Sequence, residues 1–223
     1  IHNFADSFQK IMEKAVIIFG AKGIARAALE IFRSNGIEVY GFLDDDTKTH
    51  QTEIDTIPVL GKTDDHGFLK LIGQKCEAFV ATDENAVRKK LVNMLMDKRK
   101  TMPMNAVHKL AQMSESAVLG HGNFINARVV LGAGSKVGQH CILNSGAVIE
   151  HNVTLGDFVQ IGAGTVVNPD VTIEKEAFIG SGALIVSGVK IGKKARVGAG
   201  SVVVSDVADG ETVFGNPAVK IEK

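Results

Sequence analysis

Three histidines in the second half of the chain, His121, His140 and His151, fall where a side chain would face outward or turn a corner, so they are the first candidates for proton transfer. His151 has the most suggestive company: Glu150 and Asn152 flank it, and Asn144 lies six places before Glu150. A neutral imidazole titrates near physiological pH, which suits a general base that deprotonates an amine or hydroxyl attacking a thioester. Such a base works better when a neighbour orients its other ring nitrogen. Taken alone, an exposed histidine is more often solvated than catalytic. The three do not form a convincing zinc set, since His121 and His140 share one side a turn apart while His151 lies on another, so no metal is expected. His108 reads as a packing residue.

A second group sits near the start. Gly20-Ala21-Lys22-Gly23 joins an apolar run to a helical pattern, and backbone amides at such a turn can hold phosphate. The dinucleotide fingerprint is incomplete, because its third glycine place falls at Arg26; tight turns also use glycine for geometry alone. Asp44 to Asp46 close the next apolar run, where a carboxylate can take a ribose hydroxyl or a base edge, or simply form a solvated turn.

The elements that must position these residues differ between the two halves. From Leu119 to Ala208 one register of six holds without a slip, and the first places, from Leu119, Ile125 and Leu131 to Val197 and Val203, are aliphatic in all fifteen hexads. The fifth places are mostly small or β-branched, among them Val129, Ser135, Cys141, Ala147 and Thr165, and several second places are glycine, including Gly132, Gly156, Gly162, Gly180 and Gly198. A period of six fits neither a helix nor a lone strand. It fits a coil of three flat sides in which residue i lies under residue i+18, about 4.8 Å away. One large and one small residue per side fill a thin prism that two large ones would overpack. A β-sandwich would need turn signals every 8–12 residues, and these are missing.

The front half alternates. AVIIFGA at 15–21 reads as a buried strand, GIARAALEIFRSNG as a helix ended by Gly36, 37–46 as a second strand, IPVLG as a short extended piece, DDHGFLKLIGQK as a helix, EAFVAT as a third strand and NAVRKKLVNMLMDKR as a long helix. This order implies a parallel sheet with helices packed on it. Phe4, Phe8, Ile11 and Met12 could line one side of a lead-in helix over 1–13. Residues 1–106 are thus read as a Rossmann-like α/β domain and 107–223 as an all-β coil, with the joint near Thr101–Ser116.

With 25 basic and 25 acidic side chains the chain is formally neutral, which argues against general nucleic-acid binding. No apolar run reaches a membrane span of about 20 residues. Cys76 and Cys141 fall in different domains and read as buried thiols, and with the polar start IHNFADSFQK they lead to an expected cytoplasmic location.

The hexads, the segment NSGAVIEHNVTLGDFVQIGAGTVV at 144–167 and the tail VFGNPAVKI at 213–221 resemble the hexapeptide-repeat acyltransferases. The front VIIFGAKGIA followed by GFLDDD is similar to one branch, the bacterial sialic acid O-acetyltransferases and the N-acetyltransferases of nucleotide-linked 4-amino sugars. The resemblance implies a left-handed parallel β-helix, a homotrimer, and acetyl-CoA lying in the groove between neighbouring coils. It makes His151 the base, with Glu150, Asn152 and Asn144 beside it, and places Gln160, Gly162, Gly164, Gly180, Gly182, Ala199 and Gly200 along the CoA groove. Gly20, Ala21, Lys22, Gly23, Asp44 and Asp45 would then hold the nucleotide of a sugar substrate. Three departures are visible: the family has an acidic residue where this chain has Asn152, a second histidine where it has Gln160, and frequently a histidine at Ile24. The expected activity is acetylation of a sugar amine. The alternatives are a sugar hydroxyl as acceptor or a trimeric nucleotide-binding scaffold without chemistry; a nicotinamide enzyme is disfavoured by the incomplete fingerprint.

Overall fold

The computed structural model describes residues 14–221; the lead-in helix expected over 1–13 lies outside them. The front domain runs β1 (Ala15–Phe19), α1 (Ala25–Ser34), β2 (Val39–Leu43), β3 (Glu53–Ile54), β4 (Ile57–Gly61), α2 (His66–Leu69), β5 (Cys76–Val80) and α3 (Asn85–Arg99). Its sheet has the order β3-β4-β2-β1-β5, parallel except where β3 meets β4. β1 is central and apolar because both of its faces are covered, by α1 on one side and by the cluster around Leu69, Leu91 and Leu95 on the other. The chain steps outward from β1 to β2 and β4, then returns to β5 on the far side. The crevice between the carboxyl ends of β1 and β5 is therefore the switch point where open α/β sheets take ligands.

One expected helix is much shorter than its pattern suggests. The segment from Asp64 forms a single turn, capped by the Asp65 carboxylate accepting from the Gly67 amide at 2.7 Å. It then folds back, with Lys75 and Cys76 both donating to the Leu71 carbonyl. Leu71 and Ile72 already donate to carbonyls three residues back, and Gly73 turns with φ +79, which ends the helix while Leu69 and Ile72 stay buried on one flank of the sheet.

The coil starts earlier than Leu119: β6 (Ala106–Val107) and the strand at Gln112–Met113 already keep its register. Two-residue strands then repeat to Val202–Val203, pairing in parallel with the strand 18 residues on, as in Val130↔Val148, Val148↔Val166 and Val166↔Leu184, until the last turn. There Ile191 meets Val207 and Arg196 meets Thr212 only 16 residues on, so the register expected to hold to Ala208 slips by two after Val203. Three faces result. Face 1 carries outward Ala106, Phe124, Ile142, Gln160, Phe178 and Arg196; face 2 carries Gln112, Val130, Val148, Val166, Leu184 and Val202; face 3 carries Val118, Lys136, Thr154, Thr172 and Lys190. The inward aliphatic and small residues form one continuous core from Ile125 to Val213.

The fourth place of every hexad before Val203 turns a corner with positive φ, whether glycine (Gly146, Gly164, Gly182) or not (His140, Asn152, Phe158, Asp170). The second-place glycines have a different cause. A Cβ on Gly156 would lie 2.6 Å from the Lys175 nitrogen of the next coil, and one on Gly162 or Gly180 would run into the Ser181 or Ala199 backbone. Stacking requires these glycines.

The two domains share core. Phe124 and Ile142 of face 1 are buried under α1 with Ala28, Leu29 and Phe32, and Asn35 Nδ2 donates to the Val107 carbonyl at 2.8 Å. The front domain thus sits on face 1 and on its edge with face 3.

Candidate active site

The first candidate region is the crevice beyond β1 and β5. A cleft of about 270 Å³ is lined by Gly20, Lys22, Gly23, Asp44, Asp45, Thr63 and the run Ala81–Glu84, with Val87 and Leu91 behind. Gly20 is required: at φ +107 its missing Cβ would sit 2.7 Å from the Ala81 carbonyl oxygen, so β1 and β5 can end side by side. Asp44 is committed to the turn, accepting from the Ala21 amide at 2.7 Å and from the Asp46 amide at 2.8 Å. Among the described residues the Lys22, Gly23 and Ile24 amides have no protein acceptor, while Ala21 donates to Asp44. The donors open to an anion are thus the three that precede α1, and Lys22 Nζ lies beside them, paired with Asp46.

Asp45 is oriented by Thr63, whose amide and hydroxyl donate to its Oδ1 at 3.0 and 2.7 Å. Partial burial works to raise its pKa, but Thr63, with Lys90 and Lys62 beyond, outweighs this and holds the carboxyl below its ordinary value. It is therefore a fixed anion at the rim, suited to accept from a hydroxyl or a base edge. Thr63, Thr82, Asp83 and Glu84 were not among the residues singled out from the sequence. The available signal was position: they follow β4 and β5 at the carboxyl edge of the sheet.

The second region is the coil. His151 is on the corner between faces 2 and 3, its side chain 53 % exposed, with Nδ1 3.8 Å from Glu150 Oε2. Asn152, next in the chain, takes the positive-φ corner conformation, and its amide donates to Asp170 Oδ1 at 3.0 Å on the coil above. Its amide is thus directed to the stack and not to the imidazole. Asn144 lies across face 2 from His151, on the corner between faces 1 and 2, where its Nδ2 donates to the Ile161 carbonyl at 3.1 Å. Asn168 makes the same bond to Ile185 at 2.8 Å, so coil stacking accounts for both asparagines. A single chain therefore brings Glu150 and His151 together but leaves Asn144 on the far edge.

Along that far edge, Gly146, Gly164, Gly182 and Gly200 stack one above another, with Ala199 beside the last. Space is open where a Cβ of Gly164, Gly182 or Gly200 would stand. This is a smooth exposed corner, whereas the expected groove residues Gly162 and Gly180 are buried in the stack. Gln160 is on face 1, and its Nε2 donates to the Asp83 carbonyl and to Asn85 Oδ1 at 3.2 Å. Both amide hydrogens are used by the front domain, which leaves none for an oxyanion.

His140 departs from its expected place. Although it turns the corner between faces 3 and 1, it is only 4 % exposed, covered by Phe158 with ring centroids 4.9 Å apart. Burial, reinforced by Arg88, pushes its pKa down to about 4, so it stays neutral and is no proton carrier at neutral pH. Cys141 is fully buried and its thiol is pushed up to about 12 by burial. Among the described residues no three His, Cys, Asp or Glu side chains gather as a metal site, and no helix is long and apolar enough to cross a membrane.

A parallel coil of stacked hexads fused to an α/β domain with a cleft at its switch point defines a two-domain hexapeptide-repeat transferase. Residues 15–95 match the PglD N-terminal domain, 152–186 the bacterial transferase hexapeptide (six repeats), and 170–205 the hexapeptide repeat of succinyl-transferase. A variant of GDP-perosamine N-acetyl transferase from Caulobacter crescentus, solved with CoA and GDP-perosamine, is 33 % identical with a TM-score of 0.86, the alignment covering 94 % of this chain and 97 % of that one. The acetyltransferase domain of PglB from Neisseria gonorrhoeae, solved with acetyl coenzyme A, is 28 % identical with a TM-score of 0.84 over 94 % of this chain and 100 % of that one. An uncharacterised protein of Acanthamoeba polyphaga mimivirus is 30 % identical over 129 residues, 57 % of this chain and 24 % of that protein. This chain thus spans about a quarter of the curated relative it matches. The chain belongs to the hexapeptide-repeat sugar acetyltransferases that carry a PglD-type N-terminal domain.

Proposed function

We propose that this protein transfers the acetyl group of acetyl-CoA to the amino group of a nucleotide-linked sugar, at sites completed between copies of the chain. The observation that carries this reading is the placement of His151 on the corner opposite face 1, the face that holds the front domain and its cleft. The prism itself stands between the base and the cleft of the same chain, so a second copy must supply one of them.

Face 2 supports that assembly. Val130, Val148, Val166, Leu184 and Val202 form an outward aliphatic stripe, while faces 1 and 3 carry Gln160, Arg196, Lys136 and Lys190 at the equivalent places. Three copies packed about face 2 place the His151 corner of one against the glycine corner of the next, a head-to-tail contact that closes as a ring. CoA lies along the open corner formed by Gly164, Gly182, Ala199 and Gly200. The nucleotide takes the cleft, its phosphates on the Lys22–Ile24 amides and its ribose or base on Asp45.

His151 removes a proton from the sugar nitrogen as that nitrogen attacks the thioester carbonyl, and coenzyme A thiolate leaves when the tetrahedral adduct collapses. Glu150, whose Oε2 lies 3.8 Å from Nδ1, is the carboxylate placed to take the part of an acidic residue at position 152. The corner glycines donate their amides to the coil below, and the neighbouring Ala163 and Ser181 amides, which have no protein acceptor among the described residues, stabilise the oxyanion. The solved relatives support amine over hydroxyl, since one is a GDP-perosamine N-acetyltransferase bound to CoA and GDP-perosamine.

The test measures free thiol released from acetyl-CoA with a panel of nucleotide-linked amino sugars. The parent is expected to turn over at least one of them, and His151→Ala to lose about 10²-fold or more in kcat with CoA affinity retained. Equal activity of parent and variant contradicts the role of His151. Sedimentation equilibrium at the mass of three chains is expected; a persistent monomer contradicts the shared site.

A further inference from the structure

Arg88 is the one large charged side chain that the described core buries completely, at 1 % exposure, and none of the described carboxylates pairs with it. Its guanidinium is satisfied by neutral oxygens. Nη1 donates to the Thr82 carbonyl at 2.7 Å, Nε to the His140 carbonyl at 3.1 Å, and Nη2 to Asn85 Oδ1. Its Cζ lies 5.7 Å from the centre of the Phe158 ring. Burial brings its pKa down to about 10, partly offset by Asp83, which leaves the side chain charged at neutral pH.

A buried cation without a counter-ion is a costly way to fill space, and apolar residues of similar volume are often at least as stable. What this cation does is join two domains: Thr82 and Asn85 belong to the front domain, His140 and Phe158 to the coil. The same short segment is gripped again from the coil. Gln160 donates to the Asp83 carbonyl and to Asn85, and Asn85 Nδ2 donates to the Phe158 carbonyl at 3.2 Å. On its other side this segment is the wall of the front cleft, where Thr82, Asp83 and Glu84 face the glycine turn. A Cβ on Gly23 would lie only 3.3 Å from Asp83 Oδ1.

We infer that Arg88 and Gln160 are positioning residues for the acceptor: together they clamp the Thr82–Asn85 wall of the front cleft to the coil, so that a sugar held in the cleft is delivered at a fixed place relative to the acetyl donor. Neither touches the substrate. The inference rests on the acetyl-transfer reading for its consequence, while the clamp itself can be observed without turnover. Gln160 thereby has a use distinct from oxyanion stabilisation, and it acts through the domain junction.

The experiment compares Arg88→Lys, Arg88→Met, Gln160→Ala and the Arg88→Met/Gln160→Ala double variant. In the free protein, amide hydrogen exchange at Ala81 and Arg88, whose amides donate to the Phe19 and Glu84 carbonyls at the two ends of the wall, is expected to quicken in each single variant while the coil stays protected. In turnover, Arg88→Met and Gln160→Ala are expected to raise the acceptor KM about 10-fold with the acetyl-CoA KM unchanged, and the double variant to be no worse than the poorer single, because both groups hold one segment. Arg88→Lys, which keeps the charge but reaches fewer carbonyls, is expected to fall between. Unchanged exchange in both single variants overturns the clamp whatever the substrate proves to be. Loosened exchange with an unchanged acceptor KM, or equal losses in both KM values, overturns the positioning role. Failure of every sugar to react in the parent would count against the acetyl-transfer reading, and the exchange result would still decide the clamp.

Discussion

The coil and the front domain each hold a few polar groups at fixed places, and they do so by opposite means. In the coil, position within a hexad dictates environment: first places are inside, fourth places turn with positive φ, and residue i meets residue i+18. In the front domain no period does this. Asp45 is set by Thr63, 18 residues on; Gly20 is set by Ala81; the cleft wall is set by Arg88 reaching across to His140. A repeat makes geometry local, whereas an open α/β sheet builds its site from chain segments that only the finished topology brings together.

The contrast can be broken first at the glycines. Gly162→Ala and Gly164→Ala are two residues apart and chemically identical, yet the first would drive a methyl into the Ser181 backbone and the second into open space at φ +66. Gly162→Ala is expected to cost about 3 kcal/mol or more from overpacking, and Gly164→Ala about 1 kcal/mol from the left-handed backbone. Thermal melts of both variants check this, and equal losses would show that hexad place does not govern environment. If CoA lies on the open corner, Gly164→Ala also weakens its binding while leaving the fold intact.

His140 sharpens the comparison at the domain junction. Its folded pKa of about 4 lies below the ordinary histidine value of 6.5, so between those values the unfolded chain binds a proton that the folded chain does not. Its contribution is flat above about pH 6.5, and stability falls as pH drops from there toward 4, by up to about 3 kcal/mol. Denaturant titrations of the parent and His140→Asn, which tolerates the positive φ, are expected to diverge in the variant's favour over that window. A constant difference across pH would contradict a buried neutral His140. The smallest effect is at the rim, where Asp45→Asn keeps the Thr63 contacts in shape but removes the anion. Acceptor KM is expected to rise about 3- to 10-fold with stability nearly unchanged, read by initial rates and a melt.

These differences explain what could be read in advance. The coil, its register and the corner place of His151 were legible because six-residue spacing translates directly into geometry. The departure of His140 was not: its corner place is correct, but its cover, Phe158 and Arg88, comes from another coil and another domain. The helix expected after Asp64 stops early for a local reason, since Gly73 takes a left-handed turn that a helical pattern of apolar residues does not register. In the front cleft Gly20, Gly23, Asp44 and Asp45 carried recognisable turn chemistry, while Thr63 and Thr82–Glu84 carried only a position at strand ends. Gln160 was legible as a departure from the family pattern, and its engagement with Asp83 and Asn85 became visible only when the domains were seen docked.

The central claim is that base and acceptor cleft come from different copies, and mixing defective chains tests it directly. His151→Ala chains lack the base, and chains carrying Gly20→Val and Asp45→Arg lack the cleft; each alone is expected to be inactive. Co-expressed with two different affinity tags and purified through both, the mixed assemblies are expected to regain a substantial fraction of parental acetyl transfer, because some sites then pair an intact His151 with an intact cleft from its neighbour. Mixed assemblies that form but stay as inactive as either parent variant would mean that both halves of the site belong to one chain.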